Sequence, residues 1–461
     1  MMPRRTSSHQ GREGRKSVLQ NAATEGAAGA AWASMPIACP GLGRGRYRLR
    51  FTARKTWVIF PPMVRTQKKT NPAAKSKVPK EVLMMATPSK SADLRWFSGF
   101  NASDPFPAFS AQGRKIGLLP LLEVGRAEDE SDFDEVLNLS AIITDLRKTN
   151  PAAGLADAIV FAALQNGVHR FRVPADFPVG LYERLRELGL ELTPLGAQRD
   201  ERSSPELFPA RWIKNKAELA GIRAGNTAAC AGFSVIEKIL AAATPDRKGR
   251  LLWQGKLLTA EILKEEAQVA ILRAGALCDI GMICAPGDQA VDCHCSGSGP
   301  ISANQLIVVD IFPRHRASQN YGDMTRTYLK GKANPKQRNL VHAVLEAQRR
   351  AIKAIRAGVT GAAVHDVVVR YFKSMGYKTG LVDGVYTGFF HGTGHGLGFD
   401  IHEEPAMSVR NAKPLVIGNA VTVEPGLYYP GIGGCRMEDC VVVTKRGCEL
   451  LSHHPYNWEI A

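Results

Sequence analysis

No stretch of this sequence reaches the eighteen apolar residues that a membrane-crossing helix needs. A helical membrane protein is therefore excluded, and no membrane partner is expected. Cysteine is too sparse for a stapled fold. The nine are odd in number and scattered over 461 residues, which suits a reducing compartment and gives a cytoplasmic expectation. Cys293-His294-Cys295 has the look of half a zinc site, but no second pair stands at zinc-finger spacing, so structural zinc is not expected there. Acids are nearly missing from residues 1–80, where only Glu13 and Glu25 face seventeen Lys and Arg. That segment supplies most of the net charge of +17, and the other 381 residues carry 43 bases against 41 acids. A basic tail on a neutral body does not suggest a nucleic-acid binder, so no nucleic-acid partner is expected.

The tail also has little periodic apolar pattern. It is rich in Ala, Gly, Ser, Pro and Arg, which predicts disorder over 1–80. A signal peptide is not supported, because Ala27 to Ala33 is only weakly apolar and Glu25 precedes it. Its Arg-rich, acid-poor composition is transit-like. An upstream start codon, with the true start at Met63, is the other reading, and both stay open.

The remaining length suits two domains with real cores. In 81–200, Val82 to Met85, Lys115 to Leu119 and His169 to Val173 read as strands. Leu155 to Leu164 and Leu181 to Leu188 read as helices, ended by Gly167 and Gly189. Strands alternating with helices predict an α/β unit. A polar, breaker-rich linker spans 201–211. From Trp212, the residues Leu219, Ile222, Cys230, Phe233, Ile236 and Leu240 fall on one helical face. Further amphipathic helices are predicted over Leu258 to Leu272, Leu340 to Ile355 and Val364 to Met375, the last two followed by Gly358 and Gly376 at C-cap positions. Helices mixed with antiparallel-type strands predict an α+β domain over 212–461.

Chemistry concentrates between His391 and Glu404. Three of the chain's eleven histidines, His391, His395 and His402, stand within twelve residues among four glycines. Glycine lets backbone pass close to a bound group. A hydrolytic metal centre also needs carboxylates, to neutralise hard dications and to bridge two of them. Leu306 to Val309 reads as a buried strand ending in Asp310, and Asp323 follows a loop. Val421 to Val423 leads into Glu424, with Pro425-Gly426 stopping the strand. Arg436-Met437-Glu438-Asp439 opens the run Val441 to Val443. One acid against a β-type segment is ordinarily a strand-end cap or an ion pair; four with a histidine are hard to explain that way.

The order Asp310, Asp323, His395, Glu424, Glu438 resembles the five-ligand set of the pita-bread metallopeptidases, which include methionine aminopeptidase, prolidase and aminopeptidase P. The stretches 394–405, 423–428 and 436–439 are similar to the family's histidine and glutamate motifs, and Asp323-Met324-Thr325-Arg326-Thr327 to its Asp-x-Thr-Arg-Thr. The likeness covers roughly 212–461. Asp93 to Phe100 is weakly similar to the amino-terminal domain of prolidase and creatinase relatives. One departure stands out. The two aspartates are thirteen apart where relatives usually have eleven, and Phe312 stands where a Gly is common. Pro313 to Arg316 is expected to lengthen the loop between two strands.

The resemblance implies a pita-bread catalytic domain behind a smaller creatinase-like α/β domain. It implies two divalent ions, manganese first, with cobalt, iron or zinc possible, acting through a metal-bridged hydroxide. Asp323 and Glu438 would bridge the ions, Asp310 would hold one, and His395 and Glu424 the other. Glu424 would also accept a proton. His294, His391 and His402 would contact substrate, and Arg436 would order nearby carboxylates. Methionine aminopeptidases generally lack a histidine four before the metal ligand and a domain in front; this chain has both. The expectation is hydrolysis of an Xaa-Pro bond, in a dipeptide or at a peptide amino terminus, by a homodimer. Dipeptidase and aminopeptidase remain open. The rivals are a methionine aminopeptidase-like or other pita-bread hydrolase, a metal-free creatinase-like amidinohydrolase and a non-catalytic binding module. Retention of all five ligand types argues against the last two.

Overall fold

The computed structural model describes residues 81–195 and 208–461, with three short strands at Leu49–Phe51, Trp57–Ile59 and Thr66–Gln67. Most of the segment 1–80 and the core of the expected linker, 201–207, lie outside the described residues. The three strands fall inside the stretch that composition reads as disordered. Leu49–Phe51 pairs with Trp57–Ile59, and Thr66–Gln67 with Glu135 and Val136. Short β-type triplets such as Trp57-Val58-Ile59 are diluted when composition is averaged over eighty residues.

The amino-terminal layer is a five-stranded sheet in the order Thr66–Gln67, Glu135–Asn138, Arg114–Leu119, Phe106–Ala111, Leu83–Ala86. All six residues of Phe106–Ala111 are buried. The sequence reading passed over that strand because its Pro107 and small residues break the alternation on which strand reading rests. The helix Ala92–Ser98 starts at Ser91, whose hydroxyl accepts from the Leu94 N–H at 3.2 Å, and ends at Gly99, φ 61°. Left-handed backbone of that kind costs any residue with a Cβ. Phe97 of this helix packs 5.7 Å from the ring of Phe208, which tethers the start of the second part to the first.

The second part builds two larger sheets, each covered by a pair of helices, beside smaller two- and three-stranded ones that include the hairpin Gly426–Tyr429 with Gly433–Arg436. Ile283–Pro286, Ile307–Ile311, Met324–Lys330 and Glu459–Ile460 form one, the last strand parallel to its neighbour. Helices Lys216–Ala242 and Ala260–Arg273 cover it through Phe233, Ile236, Leu240, Leu263 and Ile271. Each such side chain contributes about 1.5–3 kcal/mol by leaving water. The other sheet runs Glu403–Met407, Gly394–Gly396, Ala420–Val423, Asp439–Val443, Cys448–Leu450. Helices Pro335–Ala354 and Gly361–Ser374 close over it. The helix expected from Leu340 begins five residues earlier. Asn334 and Gln337 cap it reciprocally and Pro335 opens it, so the cap extends the helix beyond its apolar stripe. Among the described residues no helix is long and apolar enough to cross a membrane.

Candidate metal centre

The two aspartates come from one antiparallel pair. Asp310 lies in Ile307–Ile311 opposite Thr325, and Asp323 immediately precedes Met324–Lys330. The additional residues between them fold outward. Arg314–His315 pairs with Ala276–Leu277, and Arg314 bridges Tyr321, so the longer loop makes its own small ladder and leaves the register of the main pair intact. Asp323 is fixed from behind, where its N–H donates to Asn226 Oδ1 at 2.8 Å. Asn226 sits on the helix Lys216–Ala242, which comes so close at Gly225 that a Cβ there would run into the Gly322 backbone.

The histidine and the glutamates come from the second sheet. Gly396 pairs with Val421, and Val423 with Asp439, so His395, Glu424 and Glu438 sit at neighbouring places on adjoining strands. The spacing is tight. A Cβ on Gly394 would collide with the Thr422 carbonyl, and one on Gly396 with that of Glu404. His395 Nδ1–H donates to the Gly396 carbonyl at 3.0 Å, which leaves Nε2 with a lone pair. That nitrogen lies 3.5 Å from Asp323 Oδ2 and 3.4 Å from Glu424 Oε1. Glu438 Oε2 accepts from the Thr325 hydroxyl at 2.8 Å. Behind it, Arg326 and Gln348 hold Asp439 at 2.9 Å each.

Ligand atoms of Asp323, His395 and Glu438 all lie within 4.8 Å of one another. Burial and the neighbouring acids Glu438, Asp310 and Glu424 push the Asp323 carboxyl well above the usual range. Burial does the same to Glu438, with Glu424 and Asp310 adding to it. Glu424 is raised to about 7, chiefly by burial. Asp310 Oδ1 is buried without a hydrogen-bond partner. Four crowded carboxylates, an orphaned oxygen and an imidazole with its lone pair facing them fit divalent cations.

Arg436 is the guanidinium at the edge of this cluster. It donates to Asp310 Oδ2 at 2.7 Å, Thr325 Oγ1 at 3.2 Å, the Cys293 carbonyl at 3.1 Å and the Tyr428 hydroxyl at 3.0 Å. His391 Nδ1–H donates to the Gly392 carbonyl at 2.7 Å, so the Tyr428 hydroxyl, 2.9 Å from Nε2, is the donor there. Burial, then the Arg436 charge, lower the His391 pKa to about 3, which keeps the ring neutral. His402 is exposed, with its ring 4.4 Å from that of His395 at 81°. His294 stands exposed after the turn Gly287–Val291. Sequence reasoning gave no role to Tyr428, Thr325, Thr422 or Asn226. Tyr428 and Thr325 lie inside motifs already singled out; nothing in the sequence distinguished Asn226.

The comparisons with known proteins agree with this geometry. Residues 223–445 match Metallopeptidase family M24. The Xaa-Pro dipeptidase of Pyrococcus furiosus is 37% identical over 152 residues, 33% of this chain and 41% of that protein. The Xaa-Pro dipeptidase of Pyrococcus horikoshii is 35% identical over 153 residues, 33% of this chain and 40% of that protein. The chain thus spans about two fifths of the length of these curated relatives. The fold is similar to that of an X-Pro aminopeptidase from Thermotoga maritima, with TM-score 0.66 and 22% identity over 83% of this chain and 98% of the other. It is also similar to an Xaa-Pro dipeptidase from Bacillus anthracis, with TM-score 0.67 and 24% identity over 83% and 95%. Ligand set, fold and sequence converge on residues 223–445, the part of the chain that matches metallopeptidase family M24.

Proposed function

We propose that the protein is a metal-dependent peptidase that hydrolyses an Xaa-Pro bond, in dipeptides or at the amino terminus of peptides. The observation that carries this reading is the set of four carboxylates gathered about His395, with Arg436 the guanidinium hydrogen-bonded among them. Asp310, Asp323, His395, Glu424 and Glu438 would hold the ions. When bound, divalent ions acidify water and polarise a scissile carbonyl.

The chain's own residues divide the remaining work. Glu424, with Oε1 3.4 Å from His395 Nε2 at the centre of the cluster, suits acceptance of a proton from water and its delivery to the departing prolyl nitrogen. Arg436 fixes Asp310 and, through Tyr428, the orientation of His391. Both His391 nitrogens are engaged in this arrangement, so His391 meets substrate as a neutral ring or after its bond to Tyr428 opens. His402, exposed beside His395, is the candidate to donate to a developing oxyanion, with His294 at the substrate side. The rings of Phe389, Phe390 and Tyr428 surround His391 at 5.0, 6.1 and 5.5 Å. They offer apolar walls to a pyrrolidine ring, whose nitrogen has no N–H to be read.

Two ions per chain with manganese first, a homodimer, a cytoplasmic location and a domain division near 201–211 belong to the same proposal. The test is metal analysis beside hydrolysis of Ala-Pro, Ala-Pro-Ala and Met-Ala-Ala. Cleavage of the proline substrates with bound metal supports the reading, and the ratio of the first two separates dipeptidase from aminopeptidase. Preference for Met-Ala-Ala overturns it.

A further inference from the structure

A second buried ionic cluster lies beside the first, assembled from three parts of the chain. Arg211, its side chain 3% exposed, stands at the start of the second part. Its Nη1 donates to Asp93 Oδ1 at 2.9 Å, on the amino-terminal helix Ala92–Ser98. Its Nη2 donates to Asp400 Oδ2 at 3.2 Å and lies 3.6 Å from Glu403 Oε1. Lys214 Nζ meets Glu403 Oε2 at 2.5 Å and the Arg211 carbonyl at 2.8 Å. The turn closes on itself, since the Asp400 N–H donates to Glu403 Oε1 at 3.0 Å and the Gly398 N–H to the Asp400 carbonyl at 3.0 Å. A Cβ at Gly398 would strike Lys214 Nζ, so the chain is cleared for this contact.

Asp400 and Glu403 flank Ile401 and His402. The guanidinium therefore holds the turn on both sides of the residue whose ring stands 4.4 Å from His395. A planar guanidinium holds its donors in one fixed plane and so sets the directions of Asp93 and Asp400 together, which a freely rotating ammonium does not.

We propose that Arg211 is a positioning residue that sets His402 against His395 through Asp400 and Glu403, and that Asp93 makes this setting depend on the amino-terminal layer. The inference rests on the peptidase reading for its catalytic consequence, but not for its structural one. The amino-terminal layer then acts on turnover without touching substrate.

The experiment uses the full metal-loaded chain with Asp93→Asn and Arg211→Lys, alone and combined with His402→Ala. Four quantities are read: hydrogen exchange across 398–404, metal content, and kcat and KM on Ala-Pro. Both single variants are expected to speed exchange in 398–404 while leaving 439–443 protected and metal content unchanged. kcat should fall on the order of 10–10²-fold, as a displaced catalytic group implies, with KM changed less. In the His402→Ala background the same substitutions should lower kcat no further, because what they position is gone. Additive losses in the double variants, or unchanged exchange in 398–404, overturn the proposal. If the parent chain cleaves no Xaa-Pro substrate, the peptidase reading fails and the exchange data alone decide the positioning.

Discussion

The two buried ionic clusters are near neighbours that differ in how far bases match acids. Around Arg211 and Lys214, three acids meet two bases in hydrogen-bonded pairs, and Glu403 is held below its usual pKa. Burial alone would raise it, but the charges of Lys214 and Arg211 outweigh burial. Around His395, four acids gather about one guanidinium, and Asp323 and Glu438 are pushed well above their usual range. In the first cluster each acid has a basic partner, although burial still raises Asp93 to about 6 and Asp400 above its usual range. In the second, four carboxylates share one guanidinium, and that excess of acid is the electrostatic mark of a metal centre.

The largest expected effect tests that contrast directly. Chelation should abolish hydrolysis, and manganese or cobalt should restore it; full activity in metal-stripped protein would remove the distinction between the clusters. His395→Ala should lose metal as well as rate.

Next comes stability. Glu403→Gln strands Lys214 and should cost about 3–5 kcal/mol in chemical denaturation. Glu438→Gln in stripped protein should instead stabilise, since it removes a charge the fold disfavours. The pH responses should also run in opposite directions. Glu403, depressed on folding, contributes stability present above the ordinary glutamate value of about 4.3 and lost as pH falls through its lower folded value. The raised acids contribute in stripped protein below that ordinary value, and their contribution is lost as pH rises through the folded values, about 7 for Glu424. Denaturation of stripped protein across pH 4–8 reads the second effect. A stripped protein no less stable at the upper end would refute the charge argument.

Smaller effects sharpen the division of labour within the site. His391→Ala and His402→Ala should keep metal and lower kcat about 10²–10³-fold, as for one lost oxyanion-type donor. An emptied site in either variant would make that histidine a ligand. Smallest is the exposed pair Arg223–Glu449, 2.6 Å apart. Glu449→Gln should cost less than about 1 kcal/mol, because water screens it. A larger loss there would mean that burial is not what separates the clusters.

How far the sequence could be read follows from the same physics. Asp310, Asp323, His395, Glu424 and Glu438 were legible because each is tied to a strand end or a glycine pattern that sequence displays. The helices over Lys216–Ala242 and Gly361–Ser374 were legible from their apolar stripes, with ends shifted by capping. The strand Phe106–Ala111 was not, because complete burial removes the alternation that identifies a strand. Nor was the partnership of Asp93, Arg211 and Glu403, which is 118 residues long on one side and 192 on the other. Long-range ion pairs leave no local pattern. Tyr428 was seen only as part of a motif, since its link to His391 depends on the strand Gly426–Tyr429 bridging the chain at Gly388.

The glycines beside His395 have a consequence for how mutational surveys of this protein would read. Gly394 and Gly396 have no side chain with which to meet substrate, yet neighbouring carbonyls occupy the space a Cβ would need. A saturation library scored by growth or activity should therefore find these spacers as intolerant as His395, which they flank. Tolerance profiles alone would merge the two classes into one block. Alanine at Gly394 should be recognisable by a different signature, a displaced strand with its imidazole chemistry still present, while alanine at His395 keeps the strand and loses the chemistry.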